Sequence, residues 1–273
     1  MSSFDIDRLS TILRDAAKAE ILPRFRRLDK GMIRQKTEAI DLVTEADEQA
    51  ERQIKAAVEA AWPDALFVGE ESVAANPGLL DELDQAEFAI VVDPVDGTAN
   101  FAAGLPLFAT MACVVRNGET IAGIIYDPMG DDWVLAEKGG GAWQRRPDGT
   151  QWRLQVATAP ALDQMVGYSS IAFLPQATKP QVLANFAKVR VVANYRVAGH
   201  EYRTFAAGHA HFVCYNKLMP WDHLGGCLIS QEAGAYVARF DGSPYLPSHR
   251  TGGLLLASDP DTWNLLRTEV FTV

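Results

Sequence analysis

The sequence is poor in cysteine. Cys113, Cys214 and Cys227 are the only three in 273 residues. An odd, scattered set makes no disulfide framework, and without a CxxC or Cys/His cluster it makes no zinc site. All three read as small buried side chains. Positive charge is also short. Lys and Arg number 25 against 35 Asp and Glu, a formal net charge of −10. That balance disfavours a nucleic-acid surface or an anionic membrane as the main partner. No apolar run approaches the roughly 18 residues of a transmembrane helix. Met1–Asp5 carries neither the basic nor the apolar segment of a signal peptide, so a cytoplasmic enzyme is expected. There is no internal repeat, and Gly139-Gly140-Gly141 lacks the spacing and following helix of a nucleotide loop.

What is present is enough apolar material for a substantial core, 48% of the chain. The most informative stretch is Asp93-Pro94-Val95-Asp96-Gly97-Thr98. It follows the apolar run Phe88–Val92, which reads as a buried strand. Two carboxylates are thus expected three residues apart, just past a strand end. Pro94 stiffens the backbone between them, and Gly97 permits a positive φ. Thr98 adds a hydroxyl where a short helix is expected to begin. Hard oxygens in a rigid turn suit Mg²⁺, and N–H groups at a helix start suit phosphate. An Asp-rich β-turn is the plainer alternative.

The flanking segments read as follows. A helix capped at Ser3 carries Leu9, Ile12, Leu13, Ala16 and Ala17 on one face, and Pro23 should kink or end it. Arg24, Arg26, Arg27 and Lys30 form a basic cluster, read as a solvated helix end rather than a phosphate site. Lys36–Val43 is a polar connection. Thr44-Glu45-Ala46-Asp47 has the form of a capping box that opens a helix toward Ala61. Asp47 is then either a dipole-stabilising first-turn acid or part of a site. Leu66–Val68 is a short strand, and Gly69-Glu70-Glu71-Ser72 puts two acids at its end, in a solvated loop or in a site. Residues 73–87 read as a loop or short helix. Strands at 109–115, 120–126 and 132–136 form an antiparallel meander with a hairpin at Asn117-Gly118. Another strand is expected at Trp152–Val156.

Composition shifts near 157–164, which suggests subdomains of about 1–156 and 157–273 within one domain. Strands at 165–169, 189–193, 211–215 and 254–257 then alternate with helices at 176–187, 201–207, 224–233 and 261–270. Alternation of this kind favours an α/β layer arrangement. Asp222 precedes the third of these helices, where it could serve only as an N-cap.

Four pieces in this order, Asp41–Asp47, Gly69–Ser72, Asp93–Phe101 and Trp221-Asp222 with Glu232-Ala233-Gly234, resemble the inositol monophosphatase family of lithium-sensitive, metal-dependent sugar phosphatases. The resemblance covers nearly the whole chain. It implies an α-β-α-β-α layered fold, usually as a homodimer, that hydrolyses a small phosphorylated metabolite with two or three Mg²⁺ ions. By position, Glu70, Asp93 and the Val95 carbonyl would hold the first ion. Asp93, Asp96 and Asp222 would hold the second, and Glu70 a weaker third. Thr98 paired with Asp47 would orient the attacking water, and the N–H groups of Gly97 and Thr98 would cradle phosphate. Asp96 and Asp222 would also touch the substrate.

Three departures from the family pattern bear on the substrate. Ala99 stands where a second Thr is frequent. Tyr215 stands where inositol-hydrolysing members carry a Glu, seven residues before the Asp of Trp-Asp. Around Gly199 a small-residue run is replaced by His200-Glu201-Tyr202-Arg203. Glu201 could restore a carboxylate from another direction. The expected substrate is a small phosphorylated polyol or sugar, or a smaller, aromatic or cationic phosphomonoester in preference to myo-inositol 1-phosphate. Histidinol phosphate is an alternative, and a regulatory binding protein that keeps the fold is an alternative of another class.

Overall fold

The computed structural model describes residues 4–28, 31, 33–35 and 42–273. Ser3, Lys30, and Lys36 through Asp41 of the polar connection lie outside them. The first helix, α1 (Ile6–Ala16), is capped by Asp5, whose side chain accepts the N–H of Asp7 and of Arg8. Its α-helical bonding gives way to a wider π turn over Ala17–Ile21 and then to a 3₁₀ turn over Leu22–Arg24. Pro23 in that last turn has no N–H to donate, so the helix ends where the proline requires. Arg24 pairs with Glu20, and Arg26 reaches the Gly104 carbonyl, so this basic cluster stabilises a helix end. Strands β1 (Ile33–Gln35) and β2 (Leu42–Thr44) pair antiparallel. The second helix, α2 (Glu45–Ala61), starts with both bonds of the expected capping box and stops at Trp62.

The larger sheet comprises β3 (Leu66–Gly69), β4 (Phe88–Asp96), β5 (Ala109–Arg116), β6 (Glu119–Asp127), β7 (Asp132–Glu137), β8 (Ala142–Arg145) and β9 (Gln151–Arg153), in that spatial order. Only the β3–β4 pair is parallel. Two short helices, α3 (Glu70–Ala75) and α4 (Leu79–Gln85), make that parallel crossover. A third, α5 (Thr98–Ala102), follows β4. Asn117 and Gly118 have φ of 50° and 75°, the left-handed pair that a two-residue hairpin needs.

The second sheet has the order β11 (Val191–Ala193), β10 (Val166–Ser169), β12 (Phe212–Tyr215), β14 (Leu254–Ala257) and β13 (Tyr236–Arg239). Its helices are α6 (Lys179–Asn185), α7 (Ala198–Ala206), α8 (Pro220–Glu232) and α9 (Pro260–Glu269).

Three buried clusters define the layers. Leu9, Leu13, Ile54 and Val58 of α1 and α2 pack on Ile90, Val92 and Ile124 from one face of the larger sheet. Met111, Ile125 and Val134 on the other face meet Tyr202, Phe205 and Ile229 of α7 and α8, which also contact Tyr168, Val213 and Leu254 of the second sheet. The far side of that sheet, with Phe212, Cys214 and Leu255, is covered by Val182 of α6 and by Trp263 and Leu266 of α9. The result is an α-β-α-β-α sandwich, as expected. All three cysteines are free and buried. Among the described residues, no helix is long and apolar enough to cross a membrane.

Several local expectations change. Glu70 and Glu71 open a helix rather than a solvated loop, because Glu51 of α2 accepts hydrogen bonds from the N–H groups of Glu71 and Ser72. The strand expected to stop at Val92 continues to Asp96 through a shift of register between Asp93 and Asp96. Pro94 sits in that irregularity, a place where a strand tolerates a missing N–H. The strand expected over Trp152–Val156 is only Gln151–Arg153. Helix α8 begins two residues before Asp222, with Met219 as the N-cap, so Asp222 is a first-turn residue and not a cap. Strand β13 was not foreseen.

Candidate active site

The acidic stretch at the end of β4 is held in place by its own backbone. Asp93 Oδ1 accepts the Val95 N–H at 3.0 Å, and Thr110 Oγ1 on β5 donates to the Pro94 carbonyl at 2.9 Å. Gly97 then turns the chain with φ of 88°. A Cβ there would lie 3.0 Å from Val197 Cβ and 3.3 Å from the Leu107 carbonyl, so both conformation and space demand glycine. Helix α5 starts at once, and by helix geometry its first N–H groups have no acceptor within it.

Asp222 reaches the same place from the first turn of α8. Asp93, Asp96 and Asp222 each offer a carboxylate oxygen within 4.8 Å of the others. Asp93 and Asp96 are buried and Asp222 is half-buried. Three like charges at that spacing repel by on the order of 3–4 kcal/mol per pair at an effective dielectric near 20. Burial first, then the neighbouring carboxylates, raises all three pKa values. Asp93 and Asp222 rise well above the usual carboxylate range, and Asp96 to about 7. A hard divalent cation reverses that balance, and oxygen-only donors are what Mg²⁺ prefers. The residues therefore fit such an ion. Glu70, the first residue of α3, lies outside this triad of oxygens. It lines the same cavity, and its charge is felt at Asp47, Asp93, Asp96 and Asp222. Val95 also lines the cavity, and its carbonyl oxygen lies 2.9 Å from Thr98 Oγ1.

Thr98 Oγ1 lies 2.9 Å from Asp47 Oδ1 as well. Asp47 is 1% exposed. Its Oδ2 accepts both the Thr44 N–H at 2.9 Å and the Thr44 hydroxyl at 2.5 Å. The capping box thus aims Oδ1 at Thr98. Burial dominates the Asp47 pKa, pushing it up to about 6.

The opposite wall comes from α7 and β12. Asp96 accepts the Ala198 N–H at 3.2 Å and the Gly199 N–H at 2.5 Å, which ties the acidic turn to the start of α7. One turn on, Glu201 accepts the Tyr195 N–H at 2.8 Å and the Tyr215 hydroxyl at 2.9 Å. His223 is buried between the Tyr202 hydroxyl and the Lys217 carbonyl, and burial lowers its pKa to about 4. These walls enclose a cavity of about 340 Å³ that includes Thr98, Glu201, Tyr215, Lys217 and Phe173.

Every residue assigned to the site from sequence lies in or beside this cavity. Glu51 and Lys217 were missed. Glu51, 4% exposed, caps α3 through two N–H groups and the Ser72 hydroxyl at 2.6 Å. Its signal was faint: an acid four residues after Asp47, on the same helix face. Lys217 is the cation whose charge is felt at Asp222. Glu232 of the Glu-Ala-Gly piece stands apart from the cavity. Its carboxylate accepts the N–H groups of Gly139 at 2.7 Å and Gly141 at 2.8 Å, so that motif clamps α8 to the glycine turn.

Comparison with known proteins gives a consistent result. The model of the family described as "Inositol monophosphatase family" matches residues 5–268. An inositol-1-monophosphatase of Caulobacter vibrioides is 32% identical over 228 residues, 82% of this chain and 84% of that one. The Nus factor SuhB of Vibrio cholerae is 30% identical over 229 residues, 81% of this chain and 79% of its own. Among solved structures, the extragenic suppressor protein SuhB of Bartonella henselae superimposes with a TM-score of 0.81 at 25% identity, covering 97% of both chains. With the family model spanning almost the whole length, this chain belongs to the inositol monophosphatase family.

Proposed function

We propose that this protein is a Mg²⁺-dependent phosphomonoesterase that hydrolyses a small phosphorylated polyol, sugar or amino alcohol by direct attack of water. Family membership supplies the hydrolase class. The observation that carries the rest is the Thr98–Asp47 hydrogen bond beside the convergent carboxylates of Asp93, Asp96 and Asp222.

The roles follow from those contacts. Gly97 and Thr98 line the cavity, and the N–H groups of that turn bind the phosphate oxygens. When bound at Glu70, Asp93, Val95, Asp96 and Asp222, two or three Mg²⁺ ions would neutralise the phosphate dianion, acidify water and stabilise the leaving oxygen. Thr98 Oγ1 donates to Asp47 Oδ1, and its lone pair accepts from the attacking water. Asp47, with a pKa near 6, takes up the proton relayed through that hydroxyl, as general-base catalysis near neutral pH requires. Asp96, Glu201 and Asp222 meet the alcohol portion. No Ser or Cys nucleophile is needed, since phosphoryl transfer depends mainly on positioning and charge neutralisation.

The whole chain is read as one catalytic domain with subdomains of about 1–156 and 157–273. Homodimer formation and millimolar lithium inhibition are carried over from the family resemblance, and a cytoplasmic location is proposed from the sequence. A second reading, a regulatory binding protein, draws on the relatives named as Nus factor SuhB. The complete acidic triad and the intact Thr98–Asp47 pair favour hydrolysis. Phosphate release from a panel of phosphomonoesters, histidinol phosphate and inositol phosphate included, decides between them. Release that stops on chelation supports the enzyme, and no release from any ester with Mg²⁺ supports the regulatory reading.

A further inference from the structure

Besides Glu70, a second carboxylate in the cavity lies outside the acidic triad. Glu201, on the first turn of α7, is 2% exposed and lines the same cavity as Thr98 and Asp222. Donors fix both its oxygens, the Tyr195 N–H on Oε1 and the Tyr215 hydroxyl on Oε2. A carboxylate has about four lone-pair sites, so these two bonds leave acceptor capacity. Burial raises the Glu201 pKa to about 7 against the opposing pull of the Tyr195 N–H and the Tyr215 hydroxyl, and no cation among the described residues offsets it. Arg196 and Lys217 line the cavity but are exposed, and Lys217 Nζ sits 5.3 Å over the Phe173 ring. Buried charges in proteins are normally paired. A carboxylate held rigid in a ligand cavity, with no buried cation beside it among the described residues, is complementary to a cationic ligand.

Tyr215 does not supply that recognition. Its hydroxyl is committed to Glu201, and its ring packs between Tyr202 and His223 at centroid distances of 5.3 and 4.4 Å. It is a positioning residue, which holds Glu201 toward the cavity.

We infer that Glu201 selects the leaving group, and that the substrate is a phosphomonoester whose alcohol carries a protonated nitrogen that pairs with the Glu201 carboxylate. This rests on the phosphomonoesterase reading and narrows its substrate class. The preference comes from differential transition-state binding of two esters that share one phosphate site.

The test is a matched series of ω-aminoalkyl and ω-hydroxyalkyl phosphates with two to four carbons, assayed with Mg²⁺ on the full chain. At the best length, kcat/KM should favour the amine at least tenfold. Glu201→Gln should bring that ratio near one. The variant should fold, because the amide oxygen can still accept the Tyr195 N–H while its NH₂ donates to the Tyr215 oxygen; a thermal melt checks this. Tyr215→Phe should raise KM for the aminoalkyl ester several-fold with a smaller change in kcat, the mark of a positioning role. A wild type that treats both series alike, or a folded Glu201→Gln variant that keeps the amine preference, overturns the inference. If no ester is hydrolysed, the phosphatase reading fails separately. Calorimetric titration of the same esters with Ca²⁺ in place of Mg²⁺ then decides: tighter binding of the amine supports the inference, and equal or absent binding overturns it.

Discussion

Thr98 Oγ1 and Asp47 Oδ1 lie 2.9 Å apart although 51 residues separate them in the chain. One begins a five-residue helix after β4, and the other sits in the first turn of α2. Asp47 therefore has two jobs. Its Oδ2 completes the capping box on Thr44, and that bond leaves Oδ1 with one orientation, toward the Thr98 hydroxyl.

Removing the hydroxyl should separate catalysis from metal binding. Thr98→Ala is expected to lower kcat at least about a hundredfold, within the range of general acid–base contributions. The Mg²⁺ concentration for half-maximal activity should move less than about threefold, because a hydroxyl engaged with Asp47 and Val95 contributes little to the ion. Thr98→Ser should recover most of the rate. Steady-state kinetics over a Mg²⁺ titration checks this, and equal losses in rate and Mg²⁺ affinity would make Thr98 a structural part of the turn.

Glu51 supports the site without entering it. Glu51→Ala leaves the N–H groups of Glu71 and Ser72 without their side-chain acceptor. The expected cost is about 1–3 kcal/mol of stability, the usual penalty for stranding buried donors. Glu70 opens the helix that Glu51 caps, so Mg²⁺ half-saturation should also rise. Urea unfolding and a Mg²⁺ titration read the two effects, and a variant unchanged in both would mean that α3 needs no cap.

What the sequence revealed about the site followed chain locality. Asp93, Asp96, Gly97 and Thr98 fall in one turn, and the capping box lies within four residues, so both could be read directly. The α-β-α-β-α order was legible from the resemblance, and alternating periodicity pointed to an α/β layer arrangement. Glu51 was not, since its role depends on α2 lying beside the start of α3. The Glu201–Tyr215 bond joins α7 to β12 across 14 residues and exists only through packing. The extension of β4 to Asp96 was hidden by Pro94, which ends a regular strand pattern but fits a register shift. Strand β13 is four residues long, with two of them half-buried, too short for a period to show.

The raised carboxylate pKa values predict how metal and pH combine. Burial lifts the Asp96 pKa to about 7 in the folded protein, and Asp93 and Asp222 are also raised well above the ordinary value of 3.8. Between pH 4 and 7 the folded, metal-free state therefore binds more protons than the unfolded chain. Unfolding free energy from these groups falls as pH rises through that window, and the loss from Asp96 is complete above about 7. Mg²⁺ should offset it by binding only the folded state. The gain in Tm from Mg²⁺ should be larger at pH 8 than at pH 5. Scanning calorimetry with EDTA or with millimolar Mg²⁺ measures it, and an equal gain at both pH values would mean that these carboxylates do not hold the ion.

The central claim, that this acidic turn is a metal-dependent hydrolytic site, is tested most directly by kcat of Asp93→Asn under saturating Mg²⁺. Asp93 belongs to the carboxylate cluster, feels the charges of Glu70, Asp96, Asp222 and Asp47, and is 2% exposed. The substitution removes one negative charge from a repulsive group, so the metal-free variant should melt no lower than wild type. With fold preserved, phosphate release should fall by at least a thousandfold, about 4 kcal/mol of lost transition-state stabilisation. A folded Asp93→Asn enzyme that keeps kcat within about tenfold of wild type, a difference of about 1.4 kcal/mol, would contradict the account.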